Sequence, residues 1–328
     1  MSYDVIVVGA RVAGAATALL LARAGARVLL ADRAGLPGDT LSTHQVQVPG
    51  AAALQRWGVL GAVAATAPAT RRLRFDAGTV VLDGAYPAAG GASALYSPRR
   101  MILDQVLLEA AAAAGAEVRL RFRAEELIWA GRRVAGIRGR SPRGVAAGET
   151  AGLVVGADGK HSLVARAAGA ARYCERPAAT MASYSYWAGV PTVAGGGEIY
   201  RRAGRAVAAF PTGDGLTMIY AAAPAGEFAG ARRDLAGHYL ASLDGCGSLG
   251  ERARSGVRAE RLRVTNDLPA RIQVPYGPGW ALAGDAGLVL DPVSACGITN
   301  ALRDAELLAR AVVEGMGGAR GRAGAPGR

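Results

Sequence analysis

Apolar residues open the chain. Tyr3 to Val8 (YDVIVV) is an apolar run of strand length, and it breaks at Gly9. The Ala/Leu-rich stretch from Val12 to Ala24 predicts a helix. A second apolar run, Arg27 to Ala31, ends at Asp32, so the order is strand, glycine turn, helix, strand, acid. Gly35 to Pro49 reads as a loop that carries the segment DTLSTH, Asp39 to His44. The pattern then predicts a helix from Gly50 to about Trp57, strand character from Arg71 to Leu82, and a loop from Gly84 to Gly91. A strong helix follows from Arg100 to about Ala114, closed by Gly115. Glu117 to Arg123 and Ala124 to Arg138 alternate as short strands.

Leu153-Val154-Val155 is a buried strand stopped by Gly156-Ala157-Asp158-Gly159. From Tyr184 to about Ala222, aromatic and small residues alternate, which predicts antiparallel strands with a hairpin turn at Thr212-Gly213-Asp214-Gly215. A helical stretch runs from Ala231 to Leu243, and Trp280 to Ala283 is a further strand. The last helix is expected from about Gly297 to Val313, and the Gly/Ala/Arg segment 317–328 is expected to be disordered.

Composition narrows the classes. The 328 residues suffice for one large or two medium domains. No apolar stretch reaches about 18 residues, so no membrane span is expected, and the start of the chain does not read as a signal peptide. Cys174, Cys246 and Cys296 are odd in number and far apart, which points to a reducing, cytoplasmic setting without disulfides. His44, His161 and His238 are equally scattered, so no metal cluster is expected. The net charge of +12 comes almost entirely from arginine, with Lys160 the one lysine. The arginines are dispersed rather than interleaved with aromatics, which argues against nucleic-acid binding. A positive field does suit an anionic cofactor.

The opening unit has the form of a dinucleotide-binding βαβ. Gly9 permits the tight turn, and free N–H groups at the helix start can hold a pyrophosphate. Gly14 lets helix and strand pack closely, and Asp32 can accept hydrogen bonds from ribose hydroxyls. The fingerprint reads Gly9-Ala10-Arg11-Val12-Ala13-Gly14, with Arg where the middle glycine normally lies. Arg11 is expected to turn its guanidinium toward the pyrophosphate. A glycine-rich turn without a ligand is the plain alternative. Two further segments carry signal: Asp158-Gly159-Lys160-His161-Ser162, and Gly284-Asp285-Ala286 followed by Asp291-Pro292 and Gly297. Each alone reads equally well as a turn or a helix cap.

Together, in this order and separation, the three segments resemble the FAD-dependent monooxygenases of the aromatic hydroxylase type. That class also holds geranylgeranyl reductases and flavin halogenases. The resemblance spans residues 3–316. It implies an α/β fold: a three-layer, Rossmann-like FAD/NAD(P)-binding domain with a mostly antiparallel substrate-covering sheet. The expected boundaries are 1–170 plus 269–316 for the first and 171–268 for the second. It implies that Gly9, Arg11, Val12, Ala13, Gly14, Asp32 and Arg33 hold the ADP half of FAD. Arg100, in the segment Arg100 to Asp104, matches the arginine that opens a helix beside the ribityl and phosphate groups. Asp158 and Gly159 match a motif that touches both FAD and NAD(P)H, and Gly284-Asp285 the pair whose acid binds a ribityl hydroxyl. Pro292 falls in the loop beside the flavin ring, and Gly297-Ile298 opens a helix whose dipole faces N1 and C2=O. Two features depart from the pattern: Ala286 to Leu290 lacks the histidine of many relatives, and the sequence stops soon after the last helix.

No side chain need act as nucleophile in this class, because the flavin carries the chemistry. His44 is the one candidate catalytic residue, able to reach flavin or substrate, or else to bond to backbone. Cys296, in the flavin loop, reads as a small packing residue, with a reactive thiol as the alternative. Tyr184, Tyr186, Trp187, Tyr200, Phe210 and Tyr220 are expected to pave a substrate pocket with one face of their sheet. The resemblance implies NAD(P)H- and O2-dependent hydroxylation or epoxidation of a hydrophobic small molecule through a flavin C4a-hydroperoxide. The alternatives are C=C reduction of the geranylgeranyl reductase type and an FAD-binding auxiliary protein without turnover. Halogenation is disfavoured, since the channel lysine and the Trp-x-Trp-x-Ile-Pro segment of those enzymes are missing.

Overall fold

The computed structural model describes residues 2–35, 38, 40 and 42–323, with side chains as far as Met316. The opening residues form the expected unit: β1 (Tyr3–Val8), α1 (Val12–Arg23) and β2 (Val28–Ala31). β1 pairs in parallel with β2 on one side and with the strand Ala146–Gly156 on the other. The parallel series continues outward to Glu117–Arg119 beyond β2 and to Trp280–Leu282 beyond Ala146–Gly156. Parallel strands are covered on both faces, which is why β1 and β2 read as unbroken apolar runs.

One face carries α1, the helix Arg100–Ala113 and the helix Gly297–Ala323, packed through Val5, Val7, Leu19, Leu103, Leu107 and Leu302. The other face carries the hairpin Arg123–Ala130/Arg133–Arg140 and the short helix Leu163–Ala167. Helices, sheet, and hairpin with short helix make the three layers.

A second sheet of antiparallel strands holds Thr180–Ala188, Thr217–Pro224, Arg205–Pro211 and Gly197–Arg202. The turn expected at Thr212 to Gly215 joins two of them, with Asp214 at φ 60°. One boundary differs from expectation. Arg72–Asp76 pairs in parallel with Gly197–Arg202, and Val81–Ala85 lies beyond it, so residues 72–85 extend the second sheet although they fall within 1–170. A strand's partner is set by tertiary contact, which a contiguous boundary cannot express.

The last helix also differs. It runs past Val313 to Ala323, through part of the segment expected to be disordered, and residues 324–328 lie outside the described ones. Asp39 and Leu41 of the DTLSTH segment are likewise outside the described residues.

The aromatic residues of the second sheet do not pave an open pocket. Tyr184, Tyr186 and Tyr220 pack on one face with Met218 and Ala182. Trp187 and Tyr200 pack on the other against Tyr239, Leu243 and Cys246, and Phe210 is fully buried. Both faces are covered, one by the helices Leu235–Leu243 and Leu249–Ser255. Phenol and indole surface is therefore consumed as core.

Candidate active-site cleft

Three glycine turns meet at the carboxyl ends of the parallel strands. Gly9 has φ 102°, and a Cβ there would lie 2.4 Å from the Ala157 carbonyl oxygen. A Cβ on Gly14 would lie 1.7 Å from the Gly9 oxygen. Gly284 has φ 61°, and its Cβ would press on Ala13 at 2.9 Å. The three segments singled out in the sequence are thus in mutual contact, and only glycine allows that approach.

α1 starts at this junction with no side chain capping it and no acid in its first turn. Its leading N–H groups are free to receive an anion. Asp32 ties the turn from the other side: its Oδ2 accepts from the Ala10 N–H at 2.7 Å and its Oδ1 from the Ala34 N–H at 2.7 Å. Each oxygen keeps a further lone pair for a hydroxyl.

Arg11 does something the motif does not anticipate. Its Nη1 bonds Asp104 Oδ2 at 2.8 Å and donates to the Gly38 carbonyl at 3.1 Å. Arg100 grips the same carboxylate from one turn earlier on its own helix, at 3.0 Å. Asp104 is fully buried between two arginines, leaving one net positive charge at the wall of the cleft. Arg11 is held by a carboxylate while it lines the cleft. Asp104 was legible only as the end of the Arg100 segment; its spacing of four from Arg100 was the available signal.

The junction forms one end of a cleft of about 1120 Å³. Gly9, Arg11, Val12, Ala13, Asp32 and Arg33 line that end. Arg100, Asp158, Gly159, Gly284 and Asp285 line it as well. Pro292, Gly297 and Ile298 line it with Leu268, Leu288, Leu290 and Val264, which pairs with the second sheet. Of the predicted site residues, only Gly14 and His44 do not line the cleft; Gly14 packs beneath it. The loop residues Thr40, Ser42 and Thr43 also face it, as do Arg123 and Glu125.

Asp285 is exposed to the cleft, and its carboxylate makes no hydrogen bond to any described residue. Burial raises its carboxyl above the ordinary value, and Arg100 and Lys160 partly oppose that rise. Asp158 is committed to structure. It accepts from Ser162 Oγ at 2.5 Å and from the Leu163 N–H at 2.6 Å, fastening the start of helix Leu163–Ala167. Burial raises its carboxyl as well, with those hydrogen bonds opposing. At the far end the helix Gly297–Ala323 points its first turn, free of acidic residues, into the cleft.

His44 lies apart, wholly buried and at φ 63°. Its Nε2 meets the Tyr186 hydroxyl at 2.7 Å, and its ring packs edge-on against Tyr184. Burial, reinforced by Arg100, Arg99 and Arg263, pushes its pKa down to about 3, so it is neutral. Its partner is a side chain of the second sheet rather than backbone, and it anchors the cleft loop to that sheet. Cys296 is half-buried, its Sγ 3.1 Å from the Ser294 carbonyl. Among the described residues no group of histidine, cysteine and acids is placed to hold a metal, and no helix is long and apolar enough to cross a membrane.

The arrangement suits a long, anionic, hydroxyl-rich ligand, with an uncapped helix start and an unsatisfied carboxylate. The comparisons agree. A digeranylgeranylglycerophospholipid reductase from Methanothrix thermoacetophila is 29% identical over 355 aligned positions, covering 98% of this chain and 81% of that protein. Digeranylgeranylglycerophospholipid reductase 2 from Methanothermobacter thermautotrophicus is 34% identical over 169 residues, 52% of this chain but only 42% of that protein. In fold, a myxobacterial chondrochloren halogenase superimposes with TM-score 0.87 at 24% identity, covering 97% of this chain and 76% of that one. A geranylgeranyl bacteriochlorophyll reductase-like protein from Thermoplasma acidophilum gives 0.80 at 20%, covering 97% and 79%. The family described as FAD binding domain matches residues 2–248, and the chain belongs to that family of FAD-dependent oxidoreductases.

Proposed function

We propose that this chain binds FAD in the cleft and uses NAD(P)H and O2 to hydroxylate or epoxidise a hydrophobic small molecule. The observation that carries the reading is the mixed lining of the cleft, which joins charged residues and glycine backbone with Val264, Leu268, Leu288 and Leu290. In this reading the N–H groups of Arg11, Val12 and Ala13 hold the pyrophosphate, with Arg100 and Arg11 supplying charge. Asp32 takes a ribose hydroxyl and Asp285 a ribityl hydroxyl. Pro292 borders the ring, and the Gly297–Ile298 helix start stabilises negative charge on it by about 1 kcal/mol. FAD held by these residues would supply the redox chemistry of the proposed reaction. The apolar lining residues would orient the substrate.

A second reading is C=C reduction, favoured by the names of the two archaeal relatives, which are reductases. Likeness to halogenases concerns the fold, at 24% identity or less. The test is turnover under 18O2 with mass spectrometry of the product. Incorporated label supports oxygenation. An oxygen-independent gain of two hydrogens overturns it in favour of reduction.

A further inference from the structure

The second sheet ends on a strand that is paired on one side only. Val81–Ala85 is last in the strand order and, among the described residues, pairs with Arg72–Asp76 alone. Residues 77–85 are exposed throughout, with Val80 at 54%, Val81 at 43% and Leu82 at 61%. Natural edge strands are blunted by lysine, proline, a bulge or a covering element. Val81–Ala85 has no lysine or proline, and its ladder with Arg72–Asp76 runs without a register shift. The opposite side of the sheet closes with Val257–Arg258 and Arg263–Thr265, strands of two and three residues that offer little to pair with.

The ladder fixes which backbone groups face outward. The Ala77 N–H donates to the Val80 carbonyl at 2.9 Å, and the Tyr86 N–H to the Arg71 carbonyl at 3.0 Å. Antiparallel pairing alternates, so Val80, Leu82 and Gly84 turn their N–H and C=O groups inward, and Val81, Asp83 and Ala85 turn theirs away from the sheet. Side chains alternate too. Leu73 and Phe75 share one face with Val80 and Leu82, and Arg72 and Arg74 share the other with Val81 and Asp83.

This stretch complements itself. Outward from Val81, Val80 answers Leu82, Thr79 answers Asp83, and Gly78 answers Gly84. An antiparallel copy on a twofold axis through Val81 sets Val80 against Leu82 twice and Val81 against itself. It sets a threonine hydroxyl opposite each Asp83 carboxylate. The parity is the one required: the outward groups of Val81 meet those of the copy, and the two apolar faces fall on the same side. Asp83, the one charge on the strand, pairs with Arg72 of its own chain at 2.7 Å, so the contact strands no carboxylate.

We propose that Val81–Ala85 is the contact through which two copies of this chain associate, joining their second sheets into one across a twofold axis. The experiment is sedimentation velocity of the FAD-loaded full chain across micromolar concentrations. Val81→Pro removes an outward N–H and leaves the inward ladder intact. Leu82→Lys places a charge at an exposed apolar position. The parent is expected at twice the mass of the chain. Both variants are expected at the mass of one chain, with circular dichroism and bound FAD unchanged. If Val81→Pro fails to fold, Leu82→Lys, altered at the surface, carries the test. A monomeric parent overturns the proposal and leaves the edge to an unlike strand. Growth beyond a dimer also overturns it, because a twofold contact closes after two copies. A dimer equally stable in the parent and in Leu82→Lys overturns it by placing the contact elsewhere. These readouts need no turnover, so they stand or fall independently of the proposed oxygenation.

Discussion

Replacing Asp285 separates two consequences of one carboxylate. It faces the cleft, has no partner among the described residues, and ionises against burial. When a ribityl hydroxyl donates to it, the bond is charge-assisted and worth about 1.5–3 kcal/mol. Asp285→Ala should therefore weaken FAD binding roughly ten- to a hundredfold. Asp285→Asn keeps a neutral acceptor and should lose less, on the order of 1 kcal/mol. Without FAD the sign reverses. A carboxyl whose folded pKa lies above its unfolded value weakens the fold as pH rises through that interval. Asp285 is exposed to the cleft, so solvent screens much of this burden, and the Asp285→Asn apoprotein should melt no lower than the parent at neutral pH. Fluorescence titration of FAD and thermal melts of both apoproteins, monitored by circular dichroism, give the two numbers. Unchanged FAD affinity in a folded Asp285→Ala protein would show that the carboxylate does not contact the cofactor. A lower apoprotein melting temperature for Asp285→Asn would refute the electrostatic argument.

Two further outcomes follow from buried charge. Glu198 is fully buried and pairs with Arg252 at 2.7 Å, so Glu198→Ala strands a largely buried cation and should cost about 3–5 kcal/mol in urea unfolding; a loss under about 1 kcal/mol would contradict the assignment. His44 is held near pKa 3 when folded, against about 6.5 when unfolded, so it must gain a proton on unfolding in between. Stability should fall as pH drops from about 6.5 toward 3, and His44→Gln should lack that component; parallel pH–stability curves for the two proteins would refute it.

Much of the fold was legible because its signals are local. The alternation of apolar runs with glycine turns from Tyr3 to Asp32 encodes a βαβ unit within thirty residues, and the chain builds it as read. The Asp158–Gly159 and Gly284–Asp285 turns announce themselves by residue type, and both reach the cleft. What the sequence could not supply is partnership across distance. Nothing local marks Arg72–Asp76 as a neighbour of Gly197–Arg202, and nothing in an alternating aromatic strand says that both its faces are covered. Arg11 matched a position that faces phosphate, but a carboxylate 93 residues away, Asp104, claims its guanidinium. His44 was visible as a loop histidine, yet its neutrality depends on Tyr186 and the surrounding arginines, contributed by other segments. Turns, helices and strands are set by a few adjacent dihedrals and side chains, so sequence determines them. Charge state and pairing depend on burial and on partners, and only the tertiary structure brings those together.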